Sequence, residues 1–143
     1  MKIQKLTAAH LKACAKILEA AYSLPPFNEK WQGTNAYKYL VNKLKCCDRY
    51  SYVLVDGGEI RGFILVNLSF WASGPQAIIE EVVVDPKYQH QGFGSQLMKY
   101  ADAKLKTLKV KSTLLWTNKK SSGHKFHKKH GFTQVSDLVI MSK

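Results

Sequence analysis

Arginine is almost missing from this strongly basic chain. Of 22 basic residues, 20 are lysines, and Arg49 and Arg61 complete the set. Arginine is the side chain that most often reads guanine edges in the major groove. Its scarcity argues against sequence-specific nucleic-acid recognition, and no helix-turn-helix, zinc knuckle or RNP-like aromatic strand accompanies the charge. Cysteine is also scarce. Cys14, Cys46 and Cys47 are odd in number and two are adjacent, so neither a disulfide framework nor a C-x-x-C metal knuckle is present, and reduced thiols are expected. No apolar run reaches the ~18 residues of a membrane span, so no membrane partner is expected. The opening Met1-Lys2-Ile3-Gln4-Lys5 lacks the apolar stretch of a secretory signal, which makes the cytoplasm the expected compartment. Internal repeats, low-complexity tracts and Pro/Ser-rich linkers are absent too. The 143 residues, 45% hydrophobic and 22% charged, therefore read as one folded domain, 1–143.

What is present is a formal net charge of +12 and an isoelectric point of about 9.7. Such a field favours an anionic partner. The charge is uneven: residues 95–130 hold ten lysines and a single acid, Asp102.

Periodicity gives a short strand over residues 3–6 and a helix over 9–22 that Thr7 can cap. A Pro25-Pro26 loop leads to a second helix over 35–45, with Tyr37, Leu40, Val41 and Leu44 as its apolar stripe. Strands over 50–55 and 60–70 flank an Asp56-Gly57-Gly58 turn. A β-branched strand over 76–84 stops at Asp85-Pro86. A helix over 92–108, a strand over 112–117 and a short helix over 122–130 follow, with Gly131 as its C-cap. Segments 133–135 and 138–141 predict a closing hairpin. The order β-α-α-β-β-β-α-β-α-β-β predicts an α/β fold: one mixed, mostly antiparallel sheet with helices on both faces.

One stretch carries chemistry. Val82-Val83-Val84-Asp85-Pro86 ends a buried strand, and Gln89-His90-Gln91-Gly92-Phe93-Gly94-Ser95 turns into a long helix. A helix start presents free amides and positive potential, which suits an anion. Gly92 and Gly94 permit positive φ and close approach of a phosphate. The Gly-Lys-Ser/Thr ending of a Walker loop is absent, and Leu97 stands where the third glycine of a dinucleotide fingerprint belongs.

The Q-x-x-G-x-G pattern of Gln89 to Gly94 resembles the GNAT superfamily of acyl-CoA-dependent N-acetyltransferases. Upstream, Glu80-Glu81-Val82-Val83-Val84-Asp85-Pro86 resembles the family's strand ending. Downstream, Asn118 ends the next strand, and Phe126-His127-Lys128-Lys129-His130-Gly131-Phe132 is similar to its F-Y-x-x-x-G-F segment.

The resemblance implies transfer of an acetyl group from acetyl-CoA to a primary amine of a small molecule or peptide, by direct attack through a tetrahedral intermediate. It implies that Val82, Val83, Val84, Gln89, His90, Gln91, Gly92, Phe93, Gly94, Ser95 and Asn118 contact the coenzyme. In the family, amides of the turn hold the pyrophosphate. The strand splays so that its backbone pairs with the pantetheine arm, and the Val82 N–H would stabilise the oxyanion. The family register makes Glu80 the base or water-orienter, with Glu81 as the alternative. Strand alternation lets one of the two face the reaction centre. His127 stands where the family often has a tyrosine acid. Either it protonates the leaving thiolate, or the thiolate departs unassisted.

His124, His127 and His130 are spaced three apart without a completing acid or cysteine, so no metal is expected. Lys119, Lys120, Lys125, Lys128 and Lys129 read as solvated charges, some of them near a coenzyme phosphate. Phe27 to Trp31 could wall the acceptor pocket, and Glu29 could meet a cationic substrate there. A nucleic-acid-binding basic module and a non-catalytic acyl-CoA binder remain the alternatives. The resemblance also allows a homodimer, although no sequence feature fixes an interface.

Overall fold

A computed structural model describes residues 1–47 and 49–143. The chain runs β1 (Lys2–Lys5), α1 (Leu11–Tyr22), α2 (Asn35–Cys47), β2 (Tyr52–Asp56), β3 (Glu59–Trp71), β4 (Gly74–Val84), α3 (Phe93–Thr107), β5 (Ser112–Leu115) and α4 (Ser122–Lys129), with short 3-10 turns at Ala8–His10 and Pro86–Tyr88. The strands lie in sequence order across one sheet. β1 to β4 pair antiparallel, and β4 pairs with β5 in parallel.

Strand alternation sends successive side chains into two cores. Val53, Phe63, Leu65 and Val83 pack beneath α1 and α2, against Leu11, Cys14, Leu18 and Leu40. Leu54, Ile64, Val66 and Ile79 pack beneath α3, against Leu97, Met98, Ala101 and Leu105, and Phe126 of α4 joins that side. Helices thus cover both faces. β2 and β3 meet at Gly57 and Gly58, both at positive φ (58° and 80°), the conformation that a two-residue hairpin of right-handed twist demands.

Gly62 is required for a different reason. A Cβ there would sit 2.7 Å from the Val83 carbonyl oxygen and 3.3 Å from a Leu97 methyl. Backbone cannot yield as a side-chain tip does. Gly62→Ala is therefore expected to lower stability by about 1–3 kcal/mol, the usual range for overpacking, measurable by denaturant unfolding.

Two expectations need correction. The hairpin over 133–135 and 138–141 is not formed: residues 133–143 contain no strand, and Ile140 and Met141 are 81% and 87% exposed. β-Branched content reflects fit to a half-buried surface rather than an intrinsic backbone preference, and an isolated hairpin is marginal in water. Residues 133–143 are exposed, so among the described residues no element supplies that surface. The stripe of α2 holds at Leu40, Val41 and Leu44, which pack on the first core, but it does not include Tyr37. Tyr37 is exposed, Ala36, Leu40 and Cys47 are buried, and Tyr39 packs inward against the first core.

Two irregularities of β4 position the site. Its pairing with β5 stops at Ile79–Leu115, so Glu81 to Val84 pair with β3 on one edge and, among the described residues, have no strand on the other. On the β3 side, Leu65 faces Glu81 while Val66 faces Ile79, which makes Glu80 the extra residue of a β-bulge. No helix among the described residues is long and apolar enough to cross a membrane.

Candidate active site

The turn after β4 is braced at several points. Asp85 accepts the Lys87 N–H at 3.0 Å, Pro86 sets φ for the 3-10 turn, and the Arg61 guanidinium lies 4.0 Å from the centre of the Tyr88 ring. The Gln89 side chain donates to the Val84 carbonyl at 3.1 Å, tying the turn to the strand end. His90 and Gly92 both take positive φ (61° and 84°). The first helical bond of α3 runs from the Gln96 N–H to the Gly92 carbonyl at 3.0 Å, so the amides of Phe93, Gly94 and Ser95 precede it and are free for an anion. A Cβ on Gly92 would meet nothing within 4 Å, whereas one on Gly94 would meet the Phe126 ring at 3.3 Å. Gly92 keeps the turn open; Gly94 lets α3 and α4 approach.

A second helix start opens on the same groove. Asn118 accepts the Lys120 N–H on Oδ1 at 2.8 Å and the Ser121 hydroxyl on its carbonyl at 2.7 Å. Ser121 in turn caps α4 by accepting the His124 N–H at 3.3 Å. This places the first residues of α4, Ser122 and Gly123, beside Val82 and Gly92. The groove has a volume of about 520 Å³, and Lys125 and Lys129 stand in its wall. Of the residues singled out from sequence, Val82, Val84, Gln89, His90, Gly92, Phe93, Gly94 and Ser95 line it. The Ser95 hydroxyl is 2.9 Å from His130 Nε2. Gln91 lines neither this groove nor the adjoining cleft.

That cleft, about 240 Å³, continues from the groove between the splayed ends of β4 and β5, and Val83, Asn118 and His127 line it with Glu80 and Glu81. Because of the bulge, both carboxylates face α2, so strand alternation does not separate them. Glu80 pairs with Lys43 Nζ at 2.6 Å. Glu81 accepts the Tyr22 hydroxyl at 2.8 Å and the Tyr39 hydroxyl at 2.5 Å, one on each oxygen. Burial raises the Glu81 pKa, opposed by the two phenol hydrogen bonds. Burial, and then the Glu81 charge, push both tyrosines far above the usual phenol range, so they remain donors. His127 is shifted the other way, down to about 4, by burial and then by His130 and His124. Its Nδ1 is buried without a hydrogen-bond partner among the described residues, and the ring is neutral at neutral pH.

Tyr39, Lys43, Ser122 and Gly123 were not identified from sequence. Tyr39 and Lys43 are four apart, hence on one helix face, but without a partner in view that spacing is common in any helix.

A raised folded-state pKa means that the ionised Glu81 opposes folding above that pKa, and the penalty fades as pH falls through it. Tyr39→Phe removes one donor from the ionised form. It is expected to cost about 1.5–3 kcal/mol near neutral pH, and less near pH 5, as the carboxyl begins to protonate. Denaturant unfolding at the two pH values measures the difference, and an equal loss at both would mean that the phenol does not serve the charge.

The sequence model of the Acetyltransferase (GNAT) family matches residues 12–132. Comparison with curated proteins gives no match. Among solved structures, a transcriptional regulator from Bacillus halodurans C-125 is 23% identical with a TM-score of 0.78, covering 99% of this chain and 99% of that one. The PH1933 protein of Pyrococcus horikoshii OT3 is 26% identical with a TM-score of 0.78, over 97% and 92% of the two chains. The aminoglycoside antibiotic 6'-N-acetyltransferase of Acinetobacter haemolyticus is 17% identical with a TM-score of 0.73, over 100% and 98%. With the family model matched over residues 12–132, and with its turn, strand ends and two carboxylates around adjoining cavities, the chain belongs to the GNAT acetyltransferase family.

Proposed function

We propose that this acetyltransferase moves an acetyl group from acetyl-CoA to a primary amine, which attacks the thioester directly. One observation carries the reading: the groove and the cleft adjoin, sharing Val82, Val84, Gln89, Ser122 and Gly123 in their walls. Together they lead from two helix starts to two carboxylates along the unpaired edge of β4.

The residues fit the coenzyme. Among the described residues no acidic side chain lines the groove, the amides of Phe93, Gly94 and Ser95 face an anion, and Lys125 and Lys129 supply positive charge for phosphate. The open β4 edge offers main-chain partners to an extended amide-bearing arm, as an added strand would find. At the far end, an ammonium group must lose a proton before it attacks. Glu80 serves as that base, directly or through water. Lys43 fixes one of its oxygens, Oε2, and among the described residues Oε1 has no hydrogen-bond partner. Glu81, with both oxygens occupied, shapes the wall. The Val82 amide stabilises the oxyanion of the tetrahedral intermediate. His127 meets the departing sulfur as a neutral ring that donates a hydrogen bond, since a pKa of about 4 leaves almost no imidazolium at neutral pH.

Isothermal titration with acetyl-CoA, with ATP and NAD as controls, tests the first half. Micromolar binding of acetyl-CoA alone is expected, followed by thiol release when an amine is added. Absence of binding would overturn the reading and return the basic surface to nucleic acid as its best explanation.

A further inference from the structure

The outer wall of the cleft is built by the segment between α1 and α2. Two backbone bonds fold it onto the helix end: the Phe27 N–H donates to the Leu24 carbonyl at 3.1 Å, and the Glu29 N–H to the Tyr22 carbonyl at 2.9 Å. The Tyr22 and Phe27 rings meet with centroids 4.7 Å apart. With Leu24, Pro25 and Pro26 they give the cleft an apolar wall, from which the Tyr22 hydroxyl reaches Glu81. Glu29, a candidate from sequence for meeting a cation, is not in the lining.

The charge of this space is small. Among the described residues Glu80 and Glu81 are the acids that line it. Glu80 is ion-paired with Lys43, and Glu81 is hydrogen-bonded by two neutral phenols. One negative charge is left over, enough for one ammonium. A second or third ammonium on the same acceptor would be desolvated against phenyl, leucine and proline surface without a partner, and the +12 field of the chain repels polycations before they arrive. Size points the same way. A cavity of ~150 Å³ accommodates a benzene ring, so a cleft of about 240 Å³ has room for an acetyl group beside one ring.

We propose that the acceptor is a small monoamine with a flat apolar body, of the aryl-ethylamine class, its ring against Tyr22 and Phe27 and its ammonium at Glu80 and Glu81. The assignment rests on the amine-acetylation reading above and narrows it. It gives the Pro25-Pro26 segment the specificity-determining role.

The test is thiol release from acetyl-CoA with 2-phenylethylamine, ethylamine, spermidine and a 2-deoxystreptamine aminoglycoside as separate acceptors. For 2-phenylethylamine, kcat/KM is expected to exceed that for each of the others by at least about tenfold, in line with what an apolar pocket contributes. Phe27→Ala is expected to remove most of the advantage over ethylamine, lowering the ratio of the two kcat/KM values by about tenfold. Equal or better turnover of spermidine or the aminoglycoside, or a Phe27→Ala enzyme with an unchanged ratio, would overturn the assignment and leave amine acetylation standing. Acetyl-CoA binding with no turnover of any amine would overturn both.

Discussion

Gly92→Asp is expected to weaken acetyl-CoA binding by at least about 100-fold, or about 2.7 kcal/mol, while the protein stays folded. Two effects add. The residue holds φ at 84°, a conformation that costs an ordinary side chain about 1–2 kcal/mol. The new carboxylate would also project into space where nothing lies within 4 Å of a Cβ, which is where the coenzyme's own phosphates are proposed to sit. Like charges at a helix start cancel what the dipole and free amides provide. Gly92→Asn separates the contributions, since asparagine has the shape of aspartate and tolerates the left-handed region better than most side chains. It is expected to lose less than the aspartate variant by a factor of roughly ten, one charge interaction's worth at a partly buried helix end. Titration calorimetry reads both variants, and thermal unfolding checks that each is folded. Full affinity in Gly92→Asp would remove the phosphates from this turn.

The turn was legible from sequence because backbone chemistry leaves a residue signature. Few sequences other than glycine-rich ones give positive φ at a strand-to-helix junction, and the strand is marked by its β-branched run. The two cores follow from period 2 in the strands and period 3.6 in the helices. What escaped was set by tertiary partners. A bulge at Glu80 is one extra residue in a pairing register; no local pattern reveals it, so alternation separated two carboxylates that the fold brings to one side. Tyr39 and Lys43 lie inward because those carboxylates await them, which also explains why the α2 stripe seemed to run through Tyr37. The depressed pKa of His127 arises from burial and two nearby imidazoles, and its place in the F-x-x-x-x-G-F segment carries no hint of that. At the C-terminus the reverse error occurs: Leu138-Val139-Ile140-Met141 has strand composition and no surface to pair with.

The remaining prediction concerns the base and has a pH signature. At neutral pH a primary alkylamine is almost wholly protonated, its pKa being comparable to that of lysine, about 10.4. On the proposed amine acetylation, the enzyme must therefore take a proton from most of the acceptor it binds. Glu80→Gln keeps the size and the Lys43 contact on the remaining amide oxygen while removing the base. The expected result is a fall in kcat/KM on the order of 100-fold at pH 7, the lower end of what general-base catalysis contributes. As pH rises towards the pKa of the amine, free amine arrives already deprotonated and the deficit should shrink; as pH falls, it should widen. Loss of a structural contact would give a deficit independent of pH, because Lys43 keeps a hydrogen-bond acceptor in the variant. Glu81→Gln provides the comparison: its carboxylate already accepts from Tyr22 and Tyr39, and replacing it should disturb acceptor KM more than the slope of the pH profile. If Glu81→Gln carries the pH-dependent loss and Glu80→Gln does not, the two carboxylates exchange roles: Glu81 takes the proton, and the Glu80–Lys43 pair holds the wall.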